Sequence, residues 1–417
     1  MHDIKTFFKR IYRAPMLLVF GLICVTLLPT AINLRSLAFR SGIVVAMGVD
    51  INEDGNYILD AMITIPSIDD SLSENNKLLT STGISFIDAL SNMSVIFGKT
   101  LKLGHIRYIM VGYKISEKNL ALAIDGIIRT NKVRDSVQLI VCEDEVHDVF
   151  NVAIELKNKT GIKLSDIICH LEESSTTALD SNVDSFYKGY FSVSGISRLN
   201  SISLTGIYSQ GISISNDSLS VNTGGNNTEN GGNALDGDSK KYISNIGRIA
   251  VFKNGVIQEI LPKDISFAIY WLDSSYIPQK LIVETASVDN VDAICFEVLS
   301  KSVKFESFFL HGVPMLCTKI NLTIDIDEII NRESGVVSKN QNLVKNGVKS
   351  DIGREIRKLV GNALNYSKSN KLDIMNINEI FYLLNNREYM EYLQTGVLSE
   401  NFLDDVQLNI DLNIKIV

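Results

Sequence analysis

The sequence predicts an α+β protein: two or three mixed α/β domains with helices packed on largely antiparallel or mixed sheets, after one N-terminal transmembrane helix. Three observations carry that prediction. An uncharged run long enough to cross a bilayer stands near the start, strand and helix periodicities alternate through the first half, and two strictly alternating strands bracket a helical stripe in the second. At ~100–200 residues per domain, 417 residues make two or three folded units, enough to bury real cores.

The anchor comes first. Residues 14–34 carry no charge, and at about 1.5 Å of rise per residue they span roughly 30 Å, the thickness of a hydrocarbon core. Lys5, Lys9, Arg10 and Arg13 precede the run, so the positive-inside rule keeps residues 1–13 as a cytoplasmic basic tail and sends the rest to the outer face. A cleaved signal peptide and a lipoprotein signal are the competing readings. The small-residue cleavage pattern is poor around Ala31, and Cys24 follows Leu22 and Ile23 rather than a small residue.

Residues 40–205 read as an N-terminal mixed α/β domain. Residues 42–51 and 57–65 are two strand runs, and Asp54-Gly55 between them is a hairpin turn because glycine accepts the positive φ a tight turn needs. Phe86, Ile87, Leu90, Met93 and Phe97 recur at helical spacing, and a strand follows over 105–112. Leu120, Ile124, Ile127 and Ile128 mark a second helix with Ser116 as its N-cap, residues 137–141 another strand, and Val146, Val149, Phe150, Ala153 and Ile154 a third helix. Residues 206–243 turn to Gly, Asn, Ser and Asp and cannot bury enough apolar area to offset their ordering entropy, which makes them a flexible linker or loop. A domain boundary there is the first reading, and a long surface loop inside one domain the second.

Residues 244–417 read as a C-terminal α+β domain with room for two subdomains. A hairpin over 247–257 turns at Asn254-Gly255. Leu316, Thr318, Ile320, Leu322, Ile324 and Ile326 share one strand face, and Val406, Leu408, Ile410, Leu412, Ile414 and Ile416 share another, with polar residues between. Ile352, Ile356, Leu359, Val360 and Ala363 form the apolar stripe of a covering helix.

The chemistry-bearing residues form no catalytic set. The five histidines make no metal-binding spacing, the five cysteines include no C-x-x-C, and no nucleophile elbow, P-loop or dinucleotide fingerprint occurs, so no cofactor or metal is expected. The cysteines read as buried small hydrophobes. Cys169 and His170 are sequence neighbours whose side chains diverge on any regular element. Asp50, Asn52, Asp54 and Gly55 match the opening of a calcium loop, but its twelfth position is Ala61 and the flanks are strands, so the turn reading prevails. Forty basic against 48 acidic residues give a net charge of −8, and no basic patch stands out along the chain, so nucleic acid is not an expected partner. Arg129 and Arg134 follow a helix end, where cations complement the dipole or pair with acidic groups of a partner chain. His105 and Arg107 share one strand face; a hydrogen-bonded structural histidine is the first reading there and a functional role the second.

A series of segments resembles the Ger(x)C spore germination proteins, the C subunits of nutrient germinant receptors. The series is Gly48-Val49-Asp50-Ile51 with the Asp54-Gly55 turn, the Gly104-His105 strand, Asp125 with Arg129 and Arg134, the hairpin from Ile249, the helix from Asp351, Leu372-Asp373-Ile374, and the closing alternating strand. The chain departs from that family in lacking a lipobox, in Met375-Asn376-Ile377 where glycines are usual, in Tyr389 and Tyr392 where Trp is common, and in a longer Gly/Asn-rich insertion. The resemblance implies a non-enzymatic receptor subunit on the outer face of the spore's inner membrane, in complex with a transporter-like subunit and a second membrane subunit. His105, Arg107, Asp125, Arg129 and Arg134 are the candidate interaction or structural residues. The rival reading is an extracytoplasmic small-molecule-binding module acting on its own. A surface hydrolase is disfavoured because no nucleophile, base and orienting group can be assembled.

Overall fold

The computed structural model describes residues 41–64, 76–130, 133–134, 136–160, 179, 181–206, 241–274, 280–285, 291–331, 335–337, 341–395 and 401–417. The expected anchor at 14–34, Cys169 and His170, and nearly all of the 206–243 segment lie outside these residues. Among the described residues no helix is long and apolar enough to cross a membrane.

The chain opens with β1 (Ser41–Ile51) and β2 (Tyr57–Thr64), antiparallel partners joined through a turn in which Gly55 sits at φ 83°. β3 (Asn76–Gly83) adds beside β2, and α1 (Phe86–Phe97) follows. The Ser85 hydroxyl accepts the Asp88 amide of α1, and Gly98 closes the helix in the left-handed region at φ 67°. β4 (Thr100–Lys102) and β5 (Tyr108–Val111) both lie parallel to β1. The expected strand over 105–112 is thus shorter, because the Ile106 amide turns back onto the Leu103 carbonyl and leaves only four residues in the ladder.

Two short helices, α2 (Tyr113–Lys118) and α3 (Leu120–Ile128), replace the single helix expected with Ser116 at its cap. Ser116 is buried inside α2, its hydroxyl on the Gly112 carbonyl, and Asn119 caps α3 by accepting the Ala121 amide. β6 (Gln138–Cys142), α4 (Val146–Thr160), α5 (Val183–Tyr190), β7 (Ile196–Gly206), β8 (Lys241–Lys253) and β9 (Val256–Ile260) complete a nine-stranded sheet, order β3-β2-β1-β5-β6-β7-β8-β9 with β4 beside β1. β1, β5, β6 and β7 run parallel, and the outer strands run antiparallel. β7 pairs with β8 from Ile196↔Lys253 to Gly206↔Lys241, so the strands on either side of the Gly/Asn-rich segment belong to one sheet. That pairing runs against a domain boundary between β7 and β8.

One sheet face buries Phe86, Ala89 and Met93 of α1, Ile124 of α3 and Phe186 of α5, and the opposite face receives Val146, Val149 and Phe150 of α4. The second sheet is built from β10 (Lys280–Glu284), β11 (Ala293–Leu310), β12 (Val313–Asn331), β13 (Gly335–Val337) and β14 (Gln407–Ile416). β14 pairs parallel with β12, Leu316↔Leu408 through Ile324↔Ile416, which sets the two alternating apolar rows side by side. A parallel pair needs a crossover, supplied here by α7 (Gln341–Asn370), α8 (Ile377–Leu384), α9 (Asn386–Thr395) and α10 (Phe402–Asp405). α7 starts ten residues before Asp351. Its Ile352, Ile356, Val360 and Ala363 join a core with α6 (Lys263–Leu272), Ile320 and Ile324 of β12, and Ile196, Ile249 and Val251 of the first sheet. Both sheets therefore share one apolar core through α6.

Candidate functional site

β1, β4, β5 and β6 all enter the first sheet from one edge. Ser41 pairs with Thr100 and Ile43 with Lys102, the Arg107 amide donates to the Val45 carbonyl, and the Gln138 amide donates to the Arg107 carbonyl. The Arg134 carbonyl accepts the Val137 amide just before β6. His105, Arg107 and Arg134 thus share the edge where the described chain begins, and all three are exposed. The side chains of His105 and Arg107 make no hydrogen bond among the described residues. Lys99 and Lys102 stand beside them, and residues 95–107 contain no Asp or Glu. Asp125 and Arg129 are a separate feature, an ion pair on α3 with Nε 2.6 Å from Oδ2, both well exposed.

The other end of these strands is acidic. Asp50, Glu53 and Asp54 flank the β1–β2 turn, and Glu143, Asp144 and Glu145 follow β6. The Asp50 carboxylate accepts the Ile51 and Ile115 amides at 2.9 and 3.1 Å and packs on Gly112, where a Cβ would lie 2.2 Å from Oδ2. Burial raises the Asp50 pKa, and those two amides and Lys114 oppose the shift. Asn52 uses its side chain to close its own turn on the Asn56 amide. The Asp50 and Asn52 side-chain oxygens therefore serve the backbone, and no cluster of metal-ligating side chains occurs among the described residues.

Two buried polar clusters were not singled out from the sequence. On the α4 face, Asp60 is buried, the Thr80 hydroxyl donates to it, and His147 Nδ1 lies 3.1 Å from the same oxygen. The hydroxyl's proton is engaged with the carboxylate, so this set orients an imidazole without presenting a nucleophile. The second cluster lies where the two sheets meet. Arg198 of β7 reaches the Ile374 carbonyl at 3.3 Å, and burial lowers its pKa against the pull of Asp273 and Asp373. Asp373 accepts the Ile377 and Asn378 amides at 2.7 and 2.9 Å, and burial raises its pKa against those bonds. Tyr389 donates to Asn378 at 2.8 Å, and burial pushes its phenol up to about 12. Lys301 of β11 donates to the Tyr270, Trp271 and Asp273 carbonyls at the end of α6, at 2.9, 3.2 and 2.6 Å, and burial brings its pKa down to about 8. A signal for Arg198 exists: it stands two residues from buried Ile196, on the same strand face. Cys142 and Cys317 are buried and unpaired, as small hydrophobes would be.

The architecture defines a mixed α/β domain fused through a shared core to an α+β unit, with charged surfaces and no assembled catalytic set among the described residues. Residues 40–202 match the family model described as the spore germination protein N-terminal domain. No curated protein matches the chain. Among solved structures it is similar to the crystal structure of the GerBC protein, at 12% identity and a TM-score of 0.47, over 89% of this chain and 96% of that one.

Proposed function

We propose that this protein is a non-enzymatic, membrane-anchored subunit of a spore nutrient germinant receptor that supports receptor assembly and germination signalling through protein contacts. The match of residues 40–202 to the spore germination domain carries the reading. The uncharged run at 14–34 supports an anchor in the spore inner membrane with the body on the outer face. The partners proposed are a transporter-like subunit and a second membrane subunit. The described polar clusters bond mainly to backbone and to one another, as structural groups do.

The test is affinity purification of the tagged full-length chain from detergent-solubilised spore membranes after mild crosslinking. Two polytopic membrane proteins in comparable yield are expected. Recovery of the chain alone, with crosslinking controls working, refutes the subunit reading in favour of a small-molecule-binding module acting on its own.

A further inference from the structure

The edge at which the chain enters the first sheet carries basic and apolar groups together. Lys99, Lys102, Arg107 and Arg134 form no ion pair among the described residues, and Lys77 on β3 reaches the same end through Ile63↔Lys77. α1 ends at this edge, since the Phe97 ring lies where a Cβ on Gly42 would fall, 2.5 Å from Cε1. The last turn of α1 exposes Val95 to 77% and Ile96 to 60%. Cations beside exposed aliphatic side chains are the composition of surfaces that rest at a lipid interface.

Chain length adds an independent constraint. Only residues 35–40 separate the hydrophobic run from Ser41, and six residues reach at most about 20–22 Å when fully extended. Arg35 and Arg40 add two further cations to that tether. The opposite end of the strands carries Glu53 and Asp54 beside the Lys114–Glu145 and Arg248–Glu143 ion pairs, so an anionic surface favours the basic edge over that end.

We infer that the edge formed by the start of β1, the end of α1 and the β4–β5 loop seats on anionic phospholipid headgroups, with Val95 and Ile96 at the acyl boundary. This inference rests on the reading of 14–34 as a membrane anchor. Seating fixes the tilt of the body on the bilayer and turns the acidic end outward.

The test uses the full-length chain reconstituted in vesicles whose acyl chains are brominated, made of phosphatidylcholine alone or of equal parts phosphatidylcholine and phosphatidylglycerol. The chain has one tryptophan, Trp271, which is 1% exposed and serves as the shielded background. Tryptophan introduced by Val95→Trp is expected to lose about half its emission in the anionic vesicles, and much less in the neutral ones or in half-molar salt. Tryptophan from Glu53→Trp, at the acidic end, is expected to keep its emission in both. Chain that fails to float with vesicles refutes the anchor and the inference together. Chain that floats while Val95→Trp stays unquenched, or is quenched equally on both lipids, refutes the inference and leaves the anchor standing. Combined Lys99→Glu, Lys102→Glu and Arg107→Glu should abolish quenching. Unchanged quenching with loss of co-purifying subunits would instead assign the edge to an acidic protein partner and overturn the inference.

Discussion

Lys301 illustrates how one residue's state depends on its burial. Its amine sits 5.8 Å from the centre of the Trp271 ring and bonds the Tyr270, Trp271 and Asp273 carbonyls at the C-terminal end of α6. Burial lowers its pKa from 10.5 to about 8, so in that window the folded chain releases a proton that the unfolded chain keeps. The unfolded state then binds more protons, and this group's contribution to stability rises with pH. The free-energy difference between the wild-type chain and Lys301→Met, measured by denaturant unfolding, is expected to move toward the wild type from about pH 8 to 10.5. A difference that stays flat over this range would show that Lys301 titrates normally. The sequence presents Lys301 as one polar residue in an alternating strand, with nothing to show that α6 ends against it.

At the scale of elements, α8 depends on a cap from outside the usual position. Its N-cap residue Asn376 is in the left-handed region at φ 57° and caps nothing with its side chain, while Asp373 accepts both the Ile377 and Asn378 amides. Asp373→Ala is expected to cost about 1–3 kcal/mol, because the buried Ile377 amide and the half-buried Asn378 amide lose their acceptor and Arg198 loses an anionic neighbour. Thermal unfolding checks this, and Asp373→Asn should recover part of the loss by keeping one acceptor oxygen. The Leu372-Asp373-Ile374 segment was legible as a family feature, but its capping role was not. Part of the strand set was legible: β1, β2, β12 and β14 fall where alternation and turn residues place them, with Gly255 at φ 81° in the second hairpin, whereas β3, β7, β10 and β11 were not read from the sequence. Boundaries failed where a hydrogen bond intervened, as at Ile106 and Asn119.

At the scale of the molecule, residues 207–240 join two strands that are already neighbours, since Gly206 pairs with Lys241. Shortening this segment to about eight residues is expected to keep the fold and to stabilise it by about 1 kcal/mol, at roughly 0.6 kcal/mol for each halving of loop length. Circular dichroism and melting of the shortened chain check this, and loss of the folded signal would mean that the segment is structural. The two sheets are further tied by Tyr366 of α7 donating to Glu259 of β9 at 2.8 Å and by the Val193 amide donating to Glu379 of α8 at 2.9 Å. The shared core and these bonds make separation of the halves costly.

Local pattern determined the two opening strands, the α1, α4 and α7 helices, the apolar rows of β12 and β14, the hairpins and the family resemblance, because each depends on periodicity or on turn residues close in sequence. Tertiary structure alone decided that the Gly/Asn-rich segment interrupts a sheet, that Arg198, Lys301 and Asp373 meet around α6, and that a chain of net charge −8 has a basic edge. The physical reason is the parallel strand order. It gathers residues 77, 99–107 and 134 from separate parts of the chain onto one end of the sheet, a juxtaposition with no counterpart in sequence distance.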